Sequence, residues 1–293
     1  MIDVNKILFR ASQLGSIMSG RTITDIQLAK IEELSNKPSL TEKQSAELET
    51  LIQKRDNEEL PVGVQNILKK LYRGLIWNRQ PLDITSKYMD KGNSEEESSI
   101  TILSIELKKF LKKNDKRLSN EWVTGLPDIF IGESIEKATK GWDVKTAWDW
   151  TTLPYKGDKL DKDYEWQAHC YLFLTGAEEW FISHCLVSMS AEMLDDEKRK
   201  LQYKINSLDP ESDPTYIEKA KKLEVNFIYD YDKFVADYPY YQLLHTKEEW
   251  VYDIDRSQRV VSFLVKRDEK KIEEIKKRVE QCRLYIQNNL VNK

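Results

Sequence analysis

Two neighbouring apolar segments in the middle of the chain carry charged residues where buried strands ordinarily carry apolar ones. The first reads EWVTGLPDIFIGE (residues 121–133) and the second reads GWDVKTAW (residues 141–148). Both are rich in apolar residues, and the loop SIEKATK (residues 134–140) joins them, a pattern that predicts two adjacent strands. Burying an ionised side chain is costly unless it is paired or binds a metal. Asp128, Asp143 and Lys145 therefore indicate a chemical site.

The spacing of these charges places them on one face of the predicted sheet. Side chains at i and i+2 of a strand point the same way, so Asp143 and Lys145 share a face and Val144 points into the core. A short connection would bring Asp128 alongside them. The plain alternative is an Asp–Lys ion pair at a sheet edge, because a bare Asp-x-Lys is a common pattern.

The order of the remaining elements predicts an α/β fold. KILFR predicts a short strand followed by a helix near Ser12, and a second helix follows the glutamates at 95–97. After the two strands, YEWQAHCYLFLTG predicts a helix that ends at Gly176, and EEWFISHCLVSM predicts a third strand. Alternation of strands and helices favours a central mixed sheet flanked by helices over a sandwich or a bundle.

Two further regions are helical by composition and spacing. Residues 22–75 are charged and rich in helix formers, and we interpret them as a helical hairpin inserted into a single domain of residues 1–293. The C-terminal helix spans residues 268–290, with its apolar positions on one face. Residues 190–224 predict two helices joined by a loop, and VNFIYDYDKF (residues 225–234) is interpreted as a strand.

Composition excludes several classes of protein. The 293 residues are 40% hydrophobic and 33% charged, which is typical of a globular protein. No run approaches the roughly 20 apolar residues of a membrane span, and no signal peptide is recognisable, so a cytoplasmic location is expected. The three cysteines form no CxxC pair, which predicts free, buried thiols rather than a metal site or disulfides.

The net charge of −4 does not indicate a nucleic-acid-binding protein, but phosphate contacts need only a local basic surface. KKFLKKNDKR (residues 108–117) could form such a surface. The simpler interpretation, which we favour from the sequence, is a solvated helix end.

Three more polar residues fall close to the predicted strands. Glu96 lies in a run of three glutamates at a helix start, and carboxylates of this kind are what hard divalent cations prefer. An acid favoured by the helix dipole is the simpler explanation. Gln167 and Tyr171 are four residues apart on the following helix and share one face, which would equally suit an ordinary polar–aromatic helix surface.

Together these residues resemble the PD-(D/E)XK nuclease superfamily and, within it, the phage lambda-type exonucleases of the RecB-like branch. The similar stretch runs from Gly92 to about Trp180, and five motif elements occur in the same order. The matching positions are the helix-one glutamate Glu96, the PD pair Pro127-Asp128, the (D/E)xK triplet Asp143-Val144-Lys145, and the Q-x-x-x-Y pair Gln167 and Tyr171. The helix-one glutamate could also be Glu95 or Glu97.

The two ends of the chain carry weaker similarities. RASQLGSIM (residues 10–18) resembles the opening T-A-S segment of the family, in which the serine faces the DNA 5′-phosphate. The resemblance assigns that role to Ser12, with Arg10 in place of the usual threonine and Lys6 as an alternative partner. VKRDEKKIEEI (residues 265–275) resembles the closing R-D-E helix of phage relatives.

The resemblance implies a restriction-endonuclease-like core and a metal-dependent nuclease. Mg²⁺ or Mn²⁺, one or two ions per site, would be bound by Glu96, Asp128, Asp143 and the Val144 carbonyl. Lys145, with a lowered pKa, would orient or deprotonate the attacking water. Gln167 would position the nucleophile or a phosphate oxygen, and Tyr171 would support Gln167.

The expected activity is 5′ to 3′ exonuclease digestion of linear duplex DNA in phage-type recombination. A single-strand annealing protein and a homotrimer are the expected partners. Two alternatives remain: an endonuclease with the same core, and a non-catalytic DNA-binding module. A nucleotide-binding enzyme is disfavoured, because the sequence has neither a P-loop nor a G-x-G-x-x-G motif.

Overall fold

The structure is a computed structural model, and it describes residues 3–20, 25–56, 60–80 and 86–292. The helices are α1 (Ala11–Met18), α2 (Asp25–Ser35), α3 (Glu42–Asp56), α4 (Val62–Trp77), α5 (Lys87–Ser94), α6 (Glu96–Glu106), α7 (Lys162–Thr175), α8 (Ala191–Ile205), α9 (Pro214–Phe227), α10 (Tyr231–Asp237) and α11 (Glu269–Ile286). The strands are β1 (Phe9–Arg10), β2 (Leu118–Ser119), β3 (Val123–Gly125), β4 (Ile129–Gly132), β5 (Ala138–Thr146), β6 (Glu179–Cys185) and β7 (Val260–Lys266).

A four-stranded mixed sheet with the order β4-β5-β6-β7 forms the centre of the molecule. β4 and β5 form an antiparallel hairpin, β5 and β6 are parallel, and β7 is antiparallel to β6. Helix α7 makes the crossover between the two parallel strands, since parallel neighbours cannot be joined by a tight turn. The predicted α/β class, with a mixed sheet flanked by helices, is confirmed.

The two faces of this sheet are covered by different sets of helices. Trp142 and Val144 of β5 pack with α6, whereas Trp180 and Ile182 of β6 pack with α7, α1, α4 and α11. The alternation along β5 leaves Gly141, Asp143 and Lys145 on the α7 face. At Gly141 a Cβ would lie 2.1 Å from the Trp180 ring, so the close packing of this indole requires glycine. The charged residues therefore face α7.

The first predicted strand, residues 121–133, is in fact two strands in two sheets. β3 belongs to a small sheet with the order β1-β3-β2, and β4 begins the central sheet. Pro127 lies at the break, and it has no N–H to donate to a ladder. Asn114 instead binds this stretch: its Nδ2 donates to Pro127 O at 2.8 Å and its main-chain N donates to Asp128 O at 2.7 Å.

Two assignments in the C-terminal third differ from the sequence prediction. VNFIYDYDKF is helical rather than a strand: it contains the end of α9 and the start of α10. Asp230 caps α10 by accepting from Lys233 N at 3.1 Å, which fixes a helix start inside the apolar run. The fourth strand, β7, was not predicted, although VVSFLVK has the β-branched composition of a strand.

The region interpreted as an insertion contains α2 and α3, which pack on each other through Ile31 and Leu51. Helix α4 packs differently, because Val64 and Leu68 join the main core. Residues 22–24 and 57–59 of the region lie outside the described residues. The division of residues 1–293 into one domain with an insertion at 22–75 stays a prediction.

Helix α11 buries the apolar face that the spacing indicates, formed by Ile272, Ile275, Val279 and Cys282. A short π-helical segment, Gln287–Val291, follows it. The three cysteines are free and buried, as predicted. Within the described ranges, no helix combines the length and apolar character needed to cross a membrane.

Candidate active site

Two aspartates meet where the β4–β5 hairpin faces α7. Asp128 immediately precedes β4, and its Oδ2 accepts a hydrogen bond from Val144 N at 2.7 Å. Asp143 lies on β5 and is 2% exposed. Its Oδ2 is contacted by Lys145 Nζ at 2.5 Å, a charge-assisted ion pair. This buried oxygen is thus bound by one ammonium group and retains a second lone pair for a further ligand.

Lys145 connects the aspartates to helix α7. Besides its contact with Asp143, its Nζ donates to Gln167 Oε1 at 3.1 Å. The ring of Tyr164, one turn earlier on α7, lies 4.9 Å from Nζ in a cation–π arrangement. The lysine is therefore held by groups from two elements, and the aromatic ring shields it from water.

Gln167 and Tyr171 continue this chain of contacts. Gln167 Nε2 donates to Tyr171 Oη at 3.0 Å, and Tyr171 Oη donates to Leu126 O at 3.3 Å. A Cβ at Gly125 would lie 2.8 Å from Tyr171 Cε1, so glycine is needed for the tyrosine to approach β3 this closely. Gln167 and Tyr171 thus share one face of α7, as their spacing in the sequence predicts.

The electrostatics of the site reflect crowded negative charge. Burial, and then the nearby Asp143 charge, raise the pKa of Asp128 to about 8. Burial alone would lower the pKa of Lys145, but the Asp143 and Asp128 carboxylates outweigh it and the net pKa is raised. The lowered Lys145 pKa expected from the sequence depends on neighbouring cations and stays a prediction, whereas the two flanking carboxylates by themselves raise this pKa.

Glu96 stands apart from the two aspartates. It begins α6, and its Oε2 accepts from Lys113 Nζ at 2.5 Å. Its negative charge makes a minor contribution to the raised pKa of Asp128, and which of Glu95, Glu96 and Glu97 acts on the site stays open. In the same run Glu95 is buried, Glu96 is partly buried and Glu97 is exposed.

The arrangement of the acids suits a divalent cation bound by Asp128 and Asp143 better than one bound by these two and Glu96 together. The described part of the chain contains no group of three or more His, Cys, Asp or Glu side chains close enough to hold a metal ion. Asp128 and Asp143 nevertheless offer hard carboxylate oxygens whose charges repel each other, as the raised pKa of Asp128 indicates, and such a pair fits Mg²⁺ or Mn²⁺. Their role as ligands, with Val144 and Glu96, stays a prediction.

The residues predicted to contact a 5′-phosphate lie around the start of α1. Arg10 and Ser12 are exposed, and Ala11 between them is buried against the β3 side of the site. β1 and β3 pair in parallel with Arg10 opposite Thr124, so α1 begins beside the strand that leads to Asp128. Lys6 is also exposed and pairs with Asp3 at 3.8 Å. Their phosphate role stays a prediction.

Sequence reasoning missed three residues that position the site. Asn114 fixes the main chain before Asp128, Lys113 pairs with Glu96, and Tyr164 covers Lys145. Tyr164 precedes Gln167 by one helical turn, and this i, i+3 spacing was the available signal. Asn114 gave no signal, because its partners before β4 are main-chain atoms more than ten residues away.

The hairpin, the crossover helix and the clustered acids define an α/β protein with a restriction-endonuclease-like core. A crystal structure of a phage-related exonuclease from Haemophilus somnus 129PT has the same fold, with a TM-score of 0.60 and 18% sequence identity. The similarity covers 98% of this chain and 96% of that one. An alkaline exonuclease from Laribacter hongkongensis is less similar, with a TM-score of 0.49 and 11% identity over 99% of this chain and 91% of that one. No protein-family model matches the sequence, and no curated protein matches it.

Proposed function

We propose that this chain is a divalent-metal-dependent deoxyribonuclease that acts as an exonuclease. The observation that carries the proposal is the packing of a buried Asp143 and a partly buried Asp128 around a single lysine, Lys145. The fold shared with a phage-related exonuclease over nearly the whole chain supports it. Fold similarity alone would not imply catalysis, so the argument depends on the chemistry of these side chains.

Hydrolysis of a phosphodiester requires a nucleophilic water, neutralisation of charge on the phosphorus oxygens and a stabilised leaving oxygen. Bound Mg²⁺ or Mn²⁺, one or two ions, would supply Lewis-acid stabilisation of this charge. Asp128 and Asp143 would hold the cation, with the Val144 carbonyl and Glu96 as further ligands. Glu96 would have to exchange its Lys113 partner for this role.

Lys145 acts in this proposal as a charged hydrogen-bond donor. Its ammonium, held between the Asp143 carboxylate and the Gln167 amide oxygen, would orient the attacking water and stabilise the developing negative charge. Gln167 holds the ammonium through its Oε1 and positions the nucleophile or a phosphate oxygen. Tyr171 holds the Gln167 amide in turn, so that its oxygen faces the lysine.

The finer proposal is digestion of linear duplex DNA from 5′ ends, as part of phage-type recombination or DNA processing. Ser12 and Arg10 would bind the 5′-phosphate. A single-strand annealing protein would take the exposed strand, and the enzyme would assemble as a trimer in the cytoplasm, the host cytoplasm if a phage encodes it. Duplexes labelled at one end, with and without a 5′-phosphate, test the polarity: equal rates on both would contradict the phosphate pocket.

A nuclease assay with Mg²⁺, Mn²⁺ or chelator on linear and circular duplex DNA tests the main proposal. We expect metal-dependent degradation of the linear form and an intact circle. Nicking or linearisation of the circle would instead establish the endonuclease alternative. DNA binding without cleavage in either metal would establish the non-catalytic alternative.

A further inference from the structure

The segment KKFLKKNDKR (residues 108–117), here called the basic segment, concentrates positive charge in a protein of net charge −4. Six of its ten residues are Lys or Arg and only Asp115 is acidic. Phe110 lies among them and is 93% exposed. Lysines interleaved with an exposed aromatic ring are typical of surfaces that bind nucleic-acid backbones and unpaired bases. After the turn at Lys108 the segment is irregular apart from the bridge at Lys113, so it is not simply a solvated helix end.

The basic segment lies directly against the candidate active site. Lys113 bridges to Ile129 at the outer edge of β4, which has no strand on that side within the four-stranded sheet. Lys113 Nζ contacts Glu96 at 2.5 Å, and Asn114 N donates to Asp128 O at 2.7 Å. The segment is therefore attached to the two elements that present the acids.

Most of its charges are available to a ligand. Lys113 pairs with Glu96, and Lys116 pairs with Glu136. The other four cations have no ion-pair partner in the part of the chain that the structure describes: Lys108, Lys109, Lys112 and Arg117. All four are exposed. Unpaired cations next to acids are electrostatically suited to a ligand that is itself a polyanion.

Lys108 adopts a backbone conformation that a lysine rarely takes. Its φ is +52°, in the left-handed region, where it ends α6 and turns the chain back toward the site. Lys109 N donates to Ser104 O at 3.0 Å to complete this turn. Glycine is the residue that best fits such a position. A lysine there contributes a charge at the expense of backbone strain.

We propose that the basic segment binds the substrate strand beside the scissile phosphate, with Lys108, Lys109 and Lys112 on backbone phosphates and Phe110 against an unpaired base. The inference rests on the proposed function, because it assigns DNA as the polyanion. The two can fail separately: DNA binding is measured in chelator, where no cleavage occurs.

The experiment measures binding of the full chain to fluorescent DNA by anisotropy, over a range of salt concentrations, in chelator. Lys109→Ala combined with Lys112→Ala should reduce the slope of log K against log[salt] by about one for each phosphate that is no longer neutralised. Lys108→Gly should weaken binding without lowering the unfolding temperature, because glycine relieves the strained φ. Phe110→Ala should weaken binding roughly tenfold to DNA with an unpaired end and leave blunt duplex unaffected.

Lys204→Ala combined with Lys219→Ala, exposed lysines on α8 and α9, is the charge-matched control and should leave the slope unchanged. Unchanged affinity and slope in the Lys109/Lys112 variant would overturn the proposal, as would equal weakening by the control. Absence of DNA binding by the wild type at low salt would also overturn it. Binding that depends on the segment, in a protein that cuts no DNA with metal, would retain this inference and refute the proposed activity.

Discussion

Two lysines in this molecule, the fully buried Lys91 and the partly buried Lys145, have opposite surroundings. The comparison separates a lysine whose hydrogen bonds are all made to the main chain from one that contacts the acids of the candidate active site. Lys91 of α5 is 0% exposed, and its Nζ donates to the carbonyls of Ala147, Trp148 and Val187 at 2.8–3.1 Å. Three N–H donors meet three acceptors, so its hydrogen-bonding capacity is filled. Lys145 instead contacts the Asp143 carboxylate at 2.5 Å and the Gln167 amide oxygen at 3.1 Å.

The pKa values of the two lysines shift in opposite directions for this reason. Burial lowers the pKa of Lys91 to about 8, although Glu95 and Asp149 oppose the shift. The pKa of Lys145 is raised, because the adjacent aspartates outweigh burial. Lys91 therefore attaches the ends of β5 and β6 to α5. Lys145 instead keeps its charge next to the Asp143 carboxylate and the Gln167 amide, which can also bind a ligand.

The largest expected effect is on activity when Lys145 is removed. Lys145→Ala should lower the rate of DNA hydrolysis about 10³-fold, because the charged donor that orients water and stabilises negative charge is lost. That factor corresponds to about 4 kcal/mol in the activation free energy. The measurement is the single-turnover cleavage rate on linear duplex DNA with Mg²⁺, and DNA binding should persist.

Lys140→Ala, on the same strand, is the control: Lys140 pairs with Glu179 at 2.6 Å, away from the aspartates. It should cleave at close to the wild-type rate. Wild-type cleavage by Lys145→Ala would end the assignment of Lys145 to catalysis.

Removing Lys91, whose three N–H groups all have acceptors, should affect stability rather than activity. Lys91→Met keeps much of the side-chain volume but leaves three buried carbonyls without a donor, and each unsatisfied group costs about 1–3 kcal/mol. We expect the free energy of unfolding to fall by about 3 kcal/mol, measured by urea denaturation. Lys204→Met, at an exposed lysine of α8, is the control and should change it by less than about 0.5 kcal/mol. Equal effects of the two substitutions would show that Lys91 does not fasten the strands.

Replacing Asp128 should stabilise the protein, whereas most substitutions destabilise it, because the charge of Asp128 destabilises the folded state. Its pKa is about 8 when folded against an ordinary value of 3.8. Between these values the folded protein retains a proton that the unfolded chain releases, so the wild type loses stability as pH rises from about 4 to about 8. Asp128→Asn should therefore be more stable at pH 8 in chelator, by on the order of 2 kcal/mol, with the difference vanishing near pH 4.

Urea denaturation at pH 5 and pH 8 measures this difference. Mg²⁺ should stabilise the wild type and not the asparagine variant, since a ligand stabilises the state that binds it. Asp115→Asn, an exposed aspartate nearby, is the control. A variant less stable than the wild type at pH 8 in chelator would mean that the Val144 hydrogen bond outweighs the charge.

The contacts of Lys145 could be predicted from the sequence, whereas those of Lys91 could not. Asp143, Lys145, Gln167 and Tyr171 were predictable because strand and helix periods fix which side chains share a face, and the structure places them in one chain of contacts. Their catalytic roles stay predictions. The burial of Lys91 was not predictable, because all three partners are carbonyls more than fifty residues away.

Pairing between distant strands was the weakest part of the prediction. β7 pairs with β6 across some eighty residues, and a β-branched run does not by itself name its partner. The pairing of Glu96 with Lys113 was missed for a similar reason, since it depends on the path of the chain after α6. Local spacing identified the site residues, whereas long-range contacts determine which hydrogen-bond and ion-pair partners each of them has.

The smallest effect is expected at Tyr171, the far end of the chain of contacts from Lys145. Tyr171→Phe removes the hydroxyl that accepts from Gln167 and donates to Leu126, which should cost about 1 kcal/mol of stability and lower the cleavage rate severalfold. KM should change little, because the tyrosine acts through Gln167 rather than on DNA. Tyr240→Phe, at an exposed tyrosine, should change neither quantity. A change in KM alone would instead place Tyr171 in substrate binding. Tyr171 would then belong neither with Lys91, which stabilises the fold, nor with the residues proposed to act in cleavage.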